Sequence, residues 1–527
     1  MTPRPSIPRR RSPSDAAGWR CVGVCLLLML ACRAAADQPV QPRTTISQHG
    51  ITWRFDRAHV SGQFITGDWW VVGPVVVESV SPAPGPVATD RGQVRHNQYG
   101  ATLLQPDPRM RHGSMIVERA ASNQGYDSRL KNYSPDLSVQ FPVTLAPGVS
   151  LISTISGCLD DQEVPQLFHQ RMWKSEKTGR FALQSAAVLT VLDAPPPADA
   201  FRPPYAGSAK PIFTFAQVET QRLLSLPPAD AMPQWSEFER YFERPWLDHT
   251  TGWLHQITGP YENQVNYGRE FARMTGLATL MLNTDAPLER KRRLLIGMVQ
   301  LGIDLFGVTE AGRHYHADGG HYSGRKWPIL FAGHLLQNEA MLQVARHVNF
   351  AEDQQTYYGT GWAGQRALFQ IVAHTGRKPP HEQLPPLQWT RDHRLGESYR
   401  LVNGPAWPAT ALSARLMGLA EAWNHDAFFD YADRWMATDD PLAAFRAGQP
   451  KPYHQRAQVE GRTYDAFADQ MWRRYRGDAP ALSRRGPHRK WVANPQGKGG
   501  QWQVNPRPTE QEALAHAREV SRDAQRD

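Results

Sequence analysis

Cysteine is scarce in this chain of 527 residues. Cys21, Cys25 and Cys32 fall close to the start, and only Cys158 lies beyond them. That excludes a disulfide framework and a cysteine-based zinc site. After the first 36 residues no stretch of 18 uncharged apolar residues occurs, so no membrane span is expected in the remainder. There is no Gly-x-Ser-x-Gly elbow and no phosphate-binding Gly-x-x-x-x-Gly-Lys loop, and the one Gly-x-Gly-x-x-Gly string, at Gly359, Gly361 and Gly364, stands outside any βαβ unit and so is no dinucleotide fingerprint. These absences remove the common hydrolase, nucleotidase and Rossmann readings. No fixed-period repeat occurs, which argues against an open solenoid. Charge of one sign is also in short supply. The net +9 includes +5 from residues 1–36, and the +4 left over forms no basic stripe of nucleic-acid type. A mild positive field does favour an anionic substrate.

What is present is globular. The content of 43 Pro and 41 Gly implies many turns and excludes a coiled coil. Seventeen Trp offer either core or flat apolar surfaces on which sugar rings stack. Residues 1–36 read as a signal peptide: an Arg-rich run to Arg20, a short apolar core from Val22 to Ala31, and small residues Ala34, Ala35 and Ala36 before Asp37. Met29-Leu30-Ala31-Cys32 resembles a lipoprotein box, which makes Cys32 a candidate lipid anchor. The setting expected is periplasmic, extracellular or an outer-membrane lipoprotein.

Period-two runs fill 37–200. They include Ile51–Phe55, Trp69–Val77, Phe141–Leu145, Ser150–Ile155 and Ala186–Leu192, with turn signals between them, and predict a β-sandwich domain. Residues 201–231, following Ala194-Pro195-Pro196-Pro197, read as a linker. From 232 to 480 the period is helical. Helices are predicted around Phe271–Met281, from Pro287 through Leu305, over 327–348 and 361–374, from Pro408, from Asp426, and around Tyr464–Tyr475. Eight or more helices with short loops fit an (α/α) toroid. Residues 481–527 read as a basic, loosely held tail with a weak helix near 509–522. The fold class expected is therefore α+β multidomain, an N-terminal β-sandwich followed by an (α/α) helical toroid.

Three clusters carry candidate chemistry. In the first, Asn263, Asn266, Tyr267 and Arg269 stand at a helix entry, where the amides serve either as caps or as an anion site. The second, Arg313 to Trp327, crowds His314, His316, Asp318, His321, Tyr322 and Arg325 into a Gly-rich loop. That composition suits proton transfer, a solvated loop, or a structural metal held by His314, His316, Asp318 and His321. The third runs from Glu397 to Pro408 and holds Tyr399. Trp362, between Gly361 and Gly364, is a candidate sugar platform, and Tyr399 a further substrate contact.

An exported sandwich followed by a helical toroid whose loops carry Asn, His, Tyr and Arg resembles the toroid polysaccharide lyases of alginate, glucuronan and heparinase type. The resemblance is architectural and covers about residues 230–476. Their Asn, His, Tyr, Arg set is matched by Asn266, His321, Tyr322 or Tyr267, and Arg325. The segments Gly50–Asp56 and Gly67–Pro74 are similar to a group of uncharacterised exported bacterial proteins. The lyase resemblance implies β-elimination on an anionic, uronate-containing polysaccharide, with no cofactor. In that scheme Asn266 and Arg325 neutralise the carboxylate, His321 or Tyr322 takes the C5 proton, and Tyr267 protonates the leaving oxygen. Two alternatives stay open. A glycoside hydrolase would draw its two carboxylates from Glu262, Glu270, Asp304, Glu310 and Asp318. A non-catalytic polysaccharide-binding protein would use the Trp and Tyr faces alone.

Overall fold

Alternating β-formers pair as the period-two pattern requires. The computed structural model describes residues 40–86, 95–96, 102–104, 107, 109–157, 183–252, 258–265, 267–373, 376–437, 462–495 and 499–523. The signal peptide 1–36 with Cys32, and also Cys158 and Asn266, lie outside these residues. Strands β1 (Gln41–Gln48), β2 (Ile51–Gln63), β3 (Trp69–Val72), β4 (Val75–Ser81), β7 (Ser114–Ile116), β8 (Val143–Leu145), β9 (Ser150–Ser156) and β10 (Leu183–Leu192) form one curled sheet. Strands β5 (Arg95–His96) and β6 (Thr102–Leu104) pair separately.

The sheet forks at β2. Thr52 pairs with Ser47 of β1 and Ser81 of β4, whereas Ser61 pairs with Gln41 of β1 and Val71 of β3. One wing continues through β4 to β8, and the other through β3, β10 and β9 to β7. The alternate residues Trp53, Phe55, Trp69, Val71, Val75, Val77, Leu189 and Val191 fill a core between the wings. The opposite residues Ile152, Ala186 and Val188 join the core of the helices, so β10 is buried on both faces. Each fully buried Val, Leu or Ile among them contributes about 1.5–3 kcal/mol.

Twelve α-helices follow among the described residues. They are α1 (Trp235–Phe242), α2 (Gly268–Leu282), α3 (Leu288–Glu310), α4 (Lys326–Leu335), α5 (Glu339–Leu342), α6 (Ala351–Gln355), α7 (Arg391–Asn403), α8 (Pro408–Leu416), α9 (Ala420–Trp423), α10 (Asp426–Met436), α11 (Ala466–Tyr475) and α12 (Glu510–Asp523). All fifteen residues of α2 are buried. It packs against α3, α4, α8 and α11 and is the centre of the helical part. Close approach uses small residues: a Cβ at Gly302 of α3 would stand 2.3 Å from the Pro328 carbonyl oxygen of α4. None of the helices among the described residues is long and apolar enough to cross a membrane.

Helices near 271–281, from Pro287, and from Pro408 form as the pattern predicts. The expected helix over 361–374 does not form. Strand β11 (Thr356–Tyr358) pairs with β12 (Ala367–Phe369), and β13 (Val372–Ala373) with β14 (Gly376–Arg377). Ala367, Leu368 and Phe369 are buried consecutively, a two-sided environment whose apolar run is indistinguishable from a helical one. The expected helix over 327–348 stops at Leu335 and resumes as α5.

Residues 201–206 are fully or nearly enclosed, and Arg202 bridges Asp68 of the sheet part and Asp304 of α3. Beyond 481 the chain forms a hairpin of β15 (Arg489–Ala493) and β16 (Gly500–Val504). Its Trp491 and Trp502 sit 5.3 Å apart and pack on the helical body, where Trp502 donates to Asn349.

Candidate functional site

The second cluster is the loop 311–325 that joins α3 to α4, and it is clamped on several sides. Its backbone receives side-chain amides: Gln355 and Asn403 both donate to the Gly319 carbonyl, at 2.7 and 3.1 Å. It also donates, from Ala317 N–H to Gln354 and from Gly324 N–H to Glu352, both at 2.7 Å. Ser323 accepts from the Trp407 indole at 2.7 Å. Gly324 has φ +93°, and a Cβ there would lie 2.2 Å from the Ala272 nitrogen. Only glycine meets both the left-handed backbone and that closeness.

The first cluster meets this loop. Arg269 N–H, in the first turn of α2, donates to the Gly320 carbonyl at 2.9 Å. Gly268 lies so close that a Cβ would stand 2.1 Å from the His321 oxygen. The consequence is a ring contact: Tyr267 and His321 stand 4.8 Å apart, edge to face at 83°. Tyr322 follows at 6.4 Å from His321. All three are buried, with 6–7 % of their surface exposed. The Arg269 guanidinium lies over the Tyr267 ring at 5.3 Å and over Tyr464 at 5.0 Å, and it pairs with Glu270. The third cluster arrives from α7: Tyr399 is half-buried against Gly319, and a Cβ on Gly319 would sit 2.4 Å from its ring.

Not every expected residue joins this centre. Arg325 is wholly enclosed, its guanidinium on Asp248 and on the carbonyls of His321 and Ser323, with the Phe271 ring 3.4 Å away. It supports the loop from behind. Asn263 is buried and donates to carbonyls at the end of α1 and at Arg244. His314 and His316 are exposed and turn toward the terminal hairpin, with His316 5.5 Å from Trp491. Trp362 is half-buried on the connection between β11 and β12. The four residues read as a metal set therefore do not converge. No group of three or more His, Cys, Asp or Glu able to hold a metal occurs among the described residues.

Electrostatics sort the proton carriers. Burial pushes the Tyr322 phenol up to about 12, so it is protonated at neutral pH. Its hydroxyl donates to the Gly252 carbonyl. Burial pushes Glu352 up to about 7 and holds Lys326, which pairs with Asp353, down at about 8.

Sequence reading missed a buried layer behind the loop. Asp248 receives Arg325, and its backbone N–H donates to the Tyr205 hydroxyl at 2.9 Å. His249 contacts the Tyr126 hydroxyl at 3.2 Å, and burial lowers it to about 4. These residues come from separate parts of the chain. The only local signal is the placement of Asp248 and His249 directly after the apolar Trp246-Leu247.

No family model, curated protein or solved structure matches the chain.

Proposed function

We propose that the protein is an exported polysaccharide lyase that cleaves a uronate-containing anionic polysaccharide by β-elimination. The plan proposed for it is a β-sandwich followed by an (α/α) toroid. The observation that carries this reading is the edge-to-face contact of Tyr267 and His321, formed where two distant clusters meet. An imidazole and a phenol held side by side supply a base and an acid to one sugar ring. Tyr322, kept protonated by burial, is assigned to hydrogen bonding, which leaves His321 as the base.

In this scheme His321 takes the C5 proton. The electron pair left behind forms the C4–C5 double bond, the C4–O bond breaks, and Tyr267 protonates the departing glycosidic oxygen. Asn266 immediately precedes Tyr267 and is assigned the amide that stabilises the carboxylate as charge spreads into it. Arg325 acts through Asp248 to hold the loop. Arg269, Tyr399, Trp362, His314, His316 and Asn263 are assigned to the walls of a longer substrate path. The scheme calls on no cofactor.

The test is to incubate the purified protein with a panel of anionic polysaccharides and follow absorbance near ~232 nm, where the unsaturated uronate absorbs. His321→Ala and Tyr267→Phe are each expected to lower turnover by about two to four orders of magnitude. Cleavage without the chromophore, with a Glu or Asp indispensable, would make the protein a hydrolase.

A further inference from the structure

Nine arginines are buried among the described residues. Eight have a carboxylate partner: Arg111 and Arg129 on Asp127, Arg202 on Asp68 and Asp304, Arg269 on Glu270, Arg273 on Asp465, Arg325 on Asp248, Arg400 on Glu382 and Arg415 on Asp433. The ninth is Arg313, at the start of the candidate loop and 4 % exposed. Its Nε and Nη2 are buried with no acceptor at full hydrogen-bond geometry, the Tyr322 hydroxyl being the polar side chain that lies toward the guanidinium, and no carboxylate pairs with it. An uncompensated buried charge is costly, so its retention needs a reason.

The two vacant donors are the parallel pair that grips a carboxylate side-on. The same atoms of Arg129 hold Asp127 at 3.0 and 2.6 Å, and those of Arg273 hold Asp465 at 2.6 Å each. The Arg313 guanidinium is positioned by two phenol rings, Tyr315 and Tyr322, each 5.2 Å away. Tyr322 is the neighbour of His321 in the proton-transfer pair. Two more polar groups are buried close to Asp248: the Tyr315 hydroxyl, which lies toward its carboxylate, and the imidazole of His249. The Asp248 carboxylate itself is paired with Arg325.

We propose that Arg313 is the carboxylate-binding point of the site, taking the sugar-acid group of the substrate on its Nε and Nη2 fork. This rests on the uronate reading given above and assigns the carboxylate contact to a residue that the sequence pattern did not single out.

The experiment is calorimetric titration of the full chain with sodium D-glucuronate, D-glucose and sodium sulfate, for wild type, Arg313→Gln and Arg313→Lys. Glucuronate is expected to bind wild type more tightly than glucose. Arg313→Gln is expected to weaken glucuronate by about tenfold to a hundredfold, the scale of charged hydrogen bonds, and to leave glucose unchanged. Arg313→Lys restores part of the loss, because it keeps the charge without the fork. Arg313→Gln is also expected to melt at or above the wild-type temperature, as a position with no internal carboxylate partner should. Any of four results overturns the proposal: unchanged glucuronate binding in Arg313→Gln, no wild-type preference over glucose, sulfate matching glucuronate, or a melting temperature lowered as for a paired arginine. The lyase reading fails separately. If Arg313→Gln loses glucuronate but wild type forms no unsaturated product, the subsite stands and the elimination does not.

Discussion

Arg325 and Asp248 are both fully enclosed and joined at 2.9 Å. Removing one partner strands the other as a buried charge, which costs about 3–5 kcal/mol. Arg325→Met is therefore expected to lower the urea midpoint sharply. Its effect on activity should follow from the loss of fold, in contrast to His321→Ala, which should melt near wild type. His, Tyr and Arg in a Gly-rich loop are poor core formers, and that is what nominates the loop as a candidate site. His321 is nominated on that ground and Tyr267 from the polar cluster at a helix entry, and the structure brings the two into contact. Which residues of the loop brace it from behind was not legible. Arg325 and Arg313 share one loop, and only the three-dimensional position of Asp248 gives the first a buried carboxylate partner and leaves the second without one.

At the scale of elements, the start of α2 and the loop before α4 behave as one unit, pinned through Gly268, Gly324 and Glu352. Gly268→Ala must displace the His321 carbonyl, so a large loss of turnover is expected with a smaller loss of stability, read by kinetics beside thermal melting. Glu352 adds a pH signature. Burial raises its folded-state pKa from 4.5 to about 7, so the folded protein holds a proton that the unfolded chain has released. Its contribution to stability is fully present below about pH 4.5 and is lost as pH rises through about 7, worth at most about 3 kcal/mol. Glu352→Gln keeps an acceptor for Gly324 N–H, and it is expected to flatten that slope in urea titrations run between about pH 5 and 8. Long helices such as α2 and α3 were legible from the helical period of their apolar residues, although α2 is buried on every face. The segment 361–374 was not, because three consecutive buried apolar residues carry no period that tells strand from helix.

At the scale of the whole molecule, the sheet and the helices share a core. Met115, Val117, Ile152, Ala186 and Val188 pack in the same cluster as Trp246, Phe271 and Leu277. A chain begun at residue 201 would expose that face. It is expected to aggregate or to bind a hydrophobic dye, and a compact fragment with a sharp melting transition would contradict this. The segment 201–231 looks like a linker in sequence because Pro and Gly break both periods, and nothing local announces that Phe201, Arg202 and Tyr205 are buried.

The bridge from Asp68 through Arg202 to Asp304 also orders events in time. Arg202 and Asp304 are 102 positions apart. A ribosome adding about 5–20 residues per second needs roughly 5–20 s to pass from one to the other. During that interval the sheet has been synthesised and Arg202 has one of its two carboxylate partners. The sheet cannot complete its native surroundings until α3 emerges, so the nascent N-terminal part is expected to depend on a holding chaperone, and to be released from it only after the codon for Asp304 has been read.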